Sequence, residues 1–394
     1  MNVFRQVLAV SLMNLRSVPQ RWSTSLVIVV GIAGVVGVLT AILAMGEGFR
    51  ATLGQAGKSD QVIVLRSGAT SELTSGLGRE AVDLIKGAAG LARNAQGQPI
   101  ASAEILVIAD LPKRGTGTLA NAPIRGVQAE AFELRPEVEI IEGRTFEPGP
   151  RELIVGRGAA SQFEGLEVGA RLAFRDADWT VVGLFAAGGG VHESELWGDA
   201  ESVMSAYRRG GFQSVTAQLE SVDSLEDFKS ALAAEPRLNV EVQTLQAYYA
   251  GQSRQMSMLI SVLGHTVGYI MAIGALFGAL NTMYAAVSTR SREIATLRAL
   301  GFGGGAIVVS VLIEALLLAV LGGLLGGGLA WLLFNGYTVS TLGANFSQVA
   351  FDFRVTGGLL LKGLTWALVI GLVGGLLPAW RAARQPVTTA LRAL

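Results

Sequence analysis

Four long apolar segments interrupt the otherwise mixed pattern of this chain, and each is long enough to form a membrane-spanning helix. An α-helix needs about 20 residues to cross the roughly 30 Å hydrocarbon core of a bilayer. The segments run from Leu26 to Met45, Met256 to Val287, Ala306 to Phe334 and Leu359 to Trp380. The pattern therefore predicts transmembrane helices at 23–46, 255–288, 305–334 and 357–380.

The segment 47–254 is polar and mixed, and we expect it to fold outside the bilayer. Short runs rich in β-branched residues predict strands at 61–65, 103–108, 152–155 and 179–185. Helices are predicted at 80–89 and 225–234, the latter with Ser224 or Asp223 available as its N-cap. The predicted fold class is a membrane protein with four transmembrane α-helices and a large α+β extracytoplasmic domain inserted between helices 1 and 2.

Two loops rich in glycine or proline punctuate this external segment. The stretch 145–150 predicts a boundary between two lobes, at about 61–148 and 151–242. The second loop, Gly188–Glu195, contains three consecutive glycines, His192 and a polar end. Its polar end suits contact with a partner, but the interpretation that the sequence favours is an ordinary solvated loop.

Shorter polar segments complete the chain. Residues 1–22 have apolar positions at helical spacing and predict an amphipathic helix in the membrane interface, although an extension of the first span also fits; Pro19 favours a break. Residues 289–304 predict a short amphipathic helix that has Ile294, Leu297 and Leu300 on one side and ends at Gly301. A short external loop at 335–356 and a tail at 381–394 are the remaining predicted segments.

The charges are unevenly distributed, although the 394 residues have a formal net charge of +0. The segment from Gly46 to Arg254 has 28 acidic and 20 basic residues, a net charge of −8, and the remainder has 3 acidic and 11 basic residues, a net charge of +8. An excess of Lys and Arg in short flanking segments marks the cytoplasmic side of a membrane protein. Such residues flank the spans in three groups: Arg5, Arg16 and Arg21; Arg290, Arg292 and Arg298; Arg381, Arg384 and Arg392. We therefore expect both termini and the short helix in the cytoplasm, and the large domain outside it.

Few residues are suited to catalysis or to metal binding. The chain has no Cys, and its two histidines, His192 and His265, have no second ligand at metal-binding spacing. The run 57–59 ends like a phosphate-binding loop, but Thr52 stands where that motif requires glycine. We expect no catalytic residue, metal or cofactor on this chain and no nucleic-acid partner.

One carboxylate falls inside a predicted span. Glu314 follows about nine residues of the third apolar segment, where a charged side chain costs several kcal/mol unless it is protonated, paired or in a wet cavity. We expect Glu314 to face protein. The sequence fits two roles for Glu314. One is an interhelical contact that participates in transport, and the other is a protonated side chain bonded to neighbouring backbone.

Glycines spaced four residues apart predict close approach of the spans. Four such pairs occur: Gly264/Gly268, Gly274/Gly278, Gly322/Gly326 and Gly371/Gly375. Small residues at this spacing let helix backbones pack closely in lipid. Because four spans are few for a conduit, we expect a dimer, formed with an identical chain or a close paralogue.

The chain resembles the FtsX-like or MacB-type permeases of ATP-binding-cassette (ABC) transporters along nearly its whole length. The likeness is carried by the large domain between the first two spans and by the motif from Ser291 to Gly301. It continues with Glu314 in the third span and with the closing motif from Pro378 to Val387, which includes Arg381 and Arg384.

The resemblance implies a mechanotransmission permease in the bacterial inner membrane. Its cytoplasmic coupling helix would dock into an ABC ATPase dimer, and ATP and Mg²⁺ would bind on that ATPase. MacB has an ATPase on the same polypeptide and this sequence has none, so we expect a separate ATPase chain. The residues assigned to ATPase coupling are Arg290, Arg292, Glu293, Ile294, Leu297, Arg298, Leu300 and Gly301, with Pro378, Arg381 and Arg384 in the cytoplasmic tail.

The leading expectation for function is export of an amphipathic substrate together with a periplasmic adaptor (membrane fusion) protein. The alternatives are FtsX-like signalling to a cell-wall hydrolase and release of lipoproteins from the inner membrane. A membrane-bound enzyme is disfavoured, because the external acids form no paired motif with a base or a nucleophile.

Overall fold

The fold is described here from a computed structural model of the chain, for residues 3–17, 22–55, 57–174, 177–342 and 348–386. Four residues used in the sequence analysis, Pro19, Arg21, Val387 and Arg392, lie outside these described residues. The described residues form two compact units. The helical unit comes from Met1–Glu47, Met258–Tyr337 and Phe353–Leu394, and the sheet unit comes from Gly48–Ser257 and Thr338–Asp352.

The described helices include both long apolar ones and shorter ones. They are α1 (Val3–Ser17), α2 (Trp22–Gln55), α3 (Arg79–Gly87), α4 (Glu130–Leu134), α5 (Arg157–Gln162), α6 (Ala200–Ala206), α7 (Leu225–Ala233), α8 (Leu245–Thr289), α9 (Ser291–Ala299), α10 (Gly304–Phe334) and α11 (Gly357–Arg384). Four of them, α2, α8, α10 and α11, are long and apolar enough to cross a membrane.

The helices extend beyond the predicted spans. Helix α2 ends at Gln55 rather than at 46, and α8 begins at Leu245 rather than at 255. Hydropathy marks only the continuous apolar part of a helix. Helix α2 extends past that part, and its residues Phe49 and Leu53 are buried within the sheet unit. Helix α11 continues to Arg384, so the predicted tail begins too early in the sequence.

Close contacts between small residues hold the helical unit together. A Cβ added to Gly326 would lie 2.3 Å from the Ala33 carbonyl oxygen, and one added to Gly371 would lie 2.4 Å from Ala319 Cβ. The structure confirms close packing for the pairs Gly264/Gly268, Gly322/Gly326 and Gly371/Gly375. For Gly274/Gly278, a Cβ at either position meets nothing within 4 Å in this chain, so close packing of that pair stays a prediction.

The sheet unit is built on a ten-stranded sheet. Its strands are β1 (Gln61–Arg66), β2 (Ala101–Pro112), β3 (Leu119–Val127), β4 (Glu139–Gly143), β5 (Glu152–Gly156), β6 (Arg171–Phe174), β7 (Ala177–Ala186), β8 (Leu196–Asp199), β9 (Ser214–Gln218) and β10 (Val240–Thr244). The order is β10-β1-β9-β2-β3-β8-β5-β7-β4, with β6 also paired to β7. The pairs β3/β8 and β5/β7 are parallel and the others are antiparallel.

All four predicted strands and both predicted helices of this unit are present, but the two consecutive lobes are not. Strand β9 from the second half pairs between β1 and β2, and β4 from the first half pairs with β7. A boundary near residue 148 would therefore separate strands that pair with each other. Strands from both halves also share one apolar core, which includes Trp179, Ile105 and Phe228. Ser224 occupies the N-cap of α7, but its side chain makes no capping hydrogen bond.

A two-stranded hairpin, β11 (Thr338–Leu342) and β12 (Gln348–Asp352), belongs to the sheet unit. Within that unit, the Ala350 amide donates to Ser194 Oγ at 2.8 Å, and the Phe49 and Phe351 rings meet edge to face at 5.5 Å. The interpretation of Gly188–Glu195 as a solvated loop is wrong for its second half. There His192, Ser194 and Glu195 are buried, and the loop contacts a hairpin of its own chain.

Candidate functional site

A buried polar cluster in the helical unit joins three helices around Arg290. Arg290 is the N-cap residue of α9, and its Nη1 lies 3.4 Å from Glu314 Oε2 of α10. Its Nε lies 3.0 Å from Glu293 Oε2, and its guanidinium also donates to Asn14 Oδ1 of α1. The Asn14 amide in turn donates to Ser310 Oγ of α10. The cluster thus ties the start of α9 to α1 and α10.

Burial explains why these groups are joined. Arg290 is 8% exposed and Glu314 is 4% exposed, so neither charge is well solvated. A buried charge without compensation is strongly destabilising, and an ion pair with further hydrogen bonds reduces that cost. The structure confirms that Glu314 faces protein, and it places an interhelical ion pair where the sequence also permitted a bond to nearby backbone.

The cluster includes residues that were assigned to the expected coupling surface. Arg290 and Ile294 were assigned to ATPase coupling, but both are buried within the helical unit, with Ile294 in its apolar core. The expected common face of Ile294, Leu297 and Leu300 is wrong. In a continuous helix, Leu300 would lie about 120° around the axis from Ile294. Helix α9 also ends at Ala299, and Leu300 is 73% exposed whereas Ile294 is buried.

The other side of α9 is exposed. Arg292, Glu293, Thr296 and Leu300 are exposed, whereas Leu297 and Arg298 are half-buried. Gly301 follows with φ +90°, a left-handed conformation that glycine adopts without strain and that ends the helix. This short helix therefore has one face fixed in the helical unit and one face open.

The end of α11 contacts the same region. Arg298 Nη1 donates to the Gln385 carbonyl at 2.6 Å, and the Arg381 guanidinium lies over the Tyr284 ring of α8 at 5.5 Å. Arg384 lies over the Trp380 ring at 4.2 Å. Helix α11 extends to Arg384, so Pro378, Arg381 and Arg384 are helical rather than part of a tail, and Pro378 is buried.

A second buried cluster, which the sequence analysis did not find, lies in the sheet unit. The Arg125 guanidinium is within 2.8 Å of carboxylate oxygens of Glu72, Glu104 and Glu195. Arg135 pairs with Glu104 at 2.6 Å. The signal was present, because Glu104 and Arg125 each interrupt an apolar strand, but their pairing depends on strands that are neighbours only in the folded sheet.

The charges of this cluster stabilise one another. Burial by itself raises the pKa of Glu195, but Arg125 and His192 outweigh it and hold that pKa well below the ordinary value. The pKa of Glu104 is likewise lowered, because Arg135 and Arg125 outweigh its burial. The result is a region of the sheet that is cross-linked by buried ion pairs.

The two histidines have local partners. His192 Nδ1 lies 3.1 Å from Glu195 Oε2, and Arg135 Nε donates to His192 Nε2 at 3.3 Å. His265 Nδ1 lies 2.7 Å from the Ser261 carbonyl oxygen, one helical turn away. Within the described residues, no group of three or more His, Asp or Glu side chains is placed to hold a metal ion.

Two family descriptions match consecutive parts of the chain. The MacB-like periplasmic core domain matches residues 25–235, and the FtsX-like permease C-terminal domain matches residues 265–387. The first match alone covers more than half of the 394 residues. This chain belongs to the FtsX-like, MacB-type family of ABC transporter permeases. Family membership makes it a permease component of an ABC transporter.

Three curated relatives illustrate this membership. The uncharacterized ABC transporter permease YknZ of Bacillus subtilis is 27% identical over 208 residues, 50% of this chain and 49% of the relative. The pyoverdine export ATP-binding/permease protein PvdT of Pseudomonas fluorescens is 26% identical, over 93% of this chain and 56% of the relative. The macrolide export protein MacB of Hyphomonas neptunium is 24% identical, over 93% and 57%. The chain spans about half the length of these relatives.

Solved structures of external domains are also similar. The periplasmic region of MacB from Actinobacillus actinomycetemcomitans aligns with a TM-score of 0.38 at 11% identity, over 49% of this chain and 92% of that one. The extracellular domain of the ABC-type transporter YknZ from Gram-positive bacteria aligns with a TM-score of 0.35 at 16% identity, over 47% and 100%.

Proposed function

We propose that this permease works with an ABC ATPase on a separate chain and that α9 is the helix on which the ATPase acts. The observation that carries the proposal is the asymmetry of α9. One face is fixed by the Arg290–Glu314 ion pair and by buried Ile294, while Leu300 and Arg292 are exposed on the other. A helix held in this way conveys a displacement to the spans that it contacts.

The proposed topology follows from the basic flanks. Both termini and α9 lie in the cytoplasm, and the sheet unit lies in the periplasm or outside the cell, because Lys and Arg near the spans favour the cytoplasmic side. The chain is then a multi-pass protein of the bacterial inner membrane.

Movement of the spans would reach the external side through the chain itself. Helices α2 and α8 each contribute residues to both units without a break in the helix. The working unit would contain two permease subunits and two ATPase subunits. ATP and Mg²⁺ bind on the ATPase, and this chain contributes no catalytic residue to hydrolysis.

The proposed activity is export of an amphipathic substrate with a periplasmic adaptor protein. Support comes from two relatives, whose names describe export of macrolides and of pyoverdine. Signalling to a cell-wall hydrolase and lipoprotein release are the alternatives. A neighbouring gene for an adaptor would favour export, whereas one for a hydrolase or a lipoprotein carrier would favour the corresponding alternative.

Affinity purification of the full chain from its native membranes tests the coupling. We expect an ABC ATPase, identified by mass spectrometry, in about equal amount with the permease. Leu300→Asp should remove it, because it puts a charge on the exposed apolar end of α9. Leu119→Asp, at a comparably exposed leucine at the start of β3 in the sheet unit, is the matched control and should retain the ATPase. Absence of any ABC ATPase from the purified parent would overturn the proposal.

A further inference from the structure

Strand β4 forms an unpaired edge of the sheet. It pairs with residues 183–186 of β7 on one side, and among the described strands none pairs with its other side. All five residues of β4, Glu139–Gly143, are exposed. An unpaired strand edge offers amide and carbonyl groups to which another chain can add as a strand.

Two neighbouring isoleucines on this edge are exposed together. Ile140 is 37% exposed and Ile141 is 52% exposed. In a regular strand, adjacent side chains point to opposite faces, so one of the two would be expected in the core. The register shifts between Ile140 and Glu142, and such a bulge re-aims a side chain. Both isoleucines are therefore exposed on this edge, although in a regular strand one of them would be buried.

Acidic side chains surround these isoleucines. Glu139 and Glu142 are exposed on the strand itself, and Glu147 is exposed beyond its end. The nearest basic side chain in sequence, Arg144, is held in pairs with Glu147 and Glu152. Opposite charges across a strand pair are favourable and like charges are unfavourable. A basic strand is thus the matching occupant, and pairing of two copies of this acidic edge is disfavoured.

The edge is also fixed in place. Gly143 has φ +75°, and a Cβ there would lie 2.2 Å from the Val182 carbonyl oxygen, so only glycine fits. The next amide, of Arg144, donates to that same carbonyl at 3.0 Å. A partner that adds to β4 therefore does not have to order this strand first, which favours binding.

We propose that β4 is a docking edge for an extended basic segment of a separate protein. The segment adds beside β4, places apolar side chains on Ile140 and Ile141, and places Lys or Arg beside Glu139 and Glu142. The proposal rests on the proposed function only in that the sheet unit faces outward. Its test requires no ATPase, so its failure is distinct from failure of the coupling.

The probe is a labelled peptide of alternating lysine and valine, mixed with the full chain in nanodiscs of neutral phosphatidylcholine. We expect saturable binding by fluorescence anisotropy and slower hydrogen exchange at residues 139–143. The double variant Glu139→Lys/Glu142→Lys should weaken binding about tenfold or more, since two attractive pairs become repulsive. Glu241→Lys on β10, the opposite edge of the sheet, is the matched control and should bind the peptide as the parent does.

Three results would overturn the proposal. One is binding of the lysine–valine peptide that the double charge reversal leaves unchanged. Another is equal binding of a glutamate–valine peptide. The third is hydrogen exchange at 139–143 that does not respond to the peptide, either because it stays fast with the peptide present or because it slows with protein concentration alone. Slowing with protein concentration alone would identify a second copy of this chain as the occupant.

Discussion

Arg290 Nη1 lies 3.4 Å from Glu314 Oε2, which joins the residue before α9 to the interior of α10. Both side chains are buried, and Asn14 of α1 bonds to Arg290 and to Ser310 of α10. A force applied to α9 therefore acts on a polar contact inside the helical unit rather than on a flexible loop.

The Arg290–Glu314 pair should be required for stability of the helical unit. Arg290→Met removes the guanidinium that faces a buried carboxylate and should cost about 3–5 kcal/mol. The double variant Arg290→Met/Glu314→Met removes both charges and should recover much of that loss. Thermal unfolding of the full chain in detergent measures both effects. Equal unfolding midpoints for the parent and Arg290→Met would contradict the role of the pair.

Two glycines that look alike in sequence should respond oppositely to alanine. At Gly326, the added methyl group would lie 2.3 Å from the Ala33 carbonyl, so Gly326→Ala should cost about 1–3 kcal/mol by overpacking. At Gly274, nothing lies within 4 Å, and Gly274→Ala should leave stability unchanged or raise it by up to about 1 kcal/mol. Unfolding midpoints of the two variants test this contrast. A destabilised Gly274→Ala would show that this position is packed against something.

Acid should destabilise the sheet unit through the Arg125 cluster. The pKa of Glu195 is lowered in the folded state, so its contribution is present above the unfolded carboxyl pKa of about 4.3 and is lost as pH falls below it. We expect the unfolding temperature to fall steeply in that range. Glu195→Gln should lower stability at neutral pH and flatten the acid dependence.

The exposed pair Arg79–Glu201 provides the control for this cluster. Arg79→Ala should change stability far less than Arg125→Ala, because both members of its pair are in contact with solvent. An acid dependence that is the same in Glu195→Gln and in the parent would contradict the account of the cluster.

The contact between Ser194 and Ala350 should hold the β11–β12 hairpin on the sheet unit. Ser194→Ala leaves the buried Ala350 amide without its acceptor, which should cost about 1–3 kcal/mol locally. Hydrogen exchange at residues 348–352 should become faster. Ser161→Ala, at an exposed serine bonded to the Gly158 carbonyl, is the control and should leave that exchange unchanged. Unchanged exchange in Ser194→Ala would show that the hairpin is held by other contacts.

Patterns that are local in sequence predicted local structure correctly. Apolar length located the four long helices but not all of their ends, and β-branched runs located strands such as β5 within one residue. The family, too, followed from local motifs, and the matching family descriptions confirm it. These features are decided by neighbouring residues, so a single sequence contains the information.

Features that depend on distant pairing were missed. The charge cluster needs Glu72, Glu104, Arg125 and Glu195 to meet across the sheet, and the interleaving of β9 between β1 and β2 has no local signature. The faces of α9 were assigned incorrectly for a related reason. Composition shows that a short helix is amphipathic, but the partner Glu314 decides which side is buried.

Photo-crosslinking from position 300 in intact native membranes tests the central claim most directly. A photoreactive residue in place of Leu300, which is 73% exposed, should crosslink to an ABC ATPase, and the same residue in place of Leu361 should not. The account predicts an adduct from position 300 alone. An adduct from neither position, or from both equally, would contradict docking of the ATPase on α9.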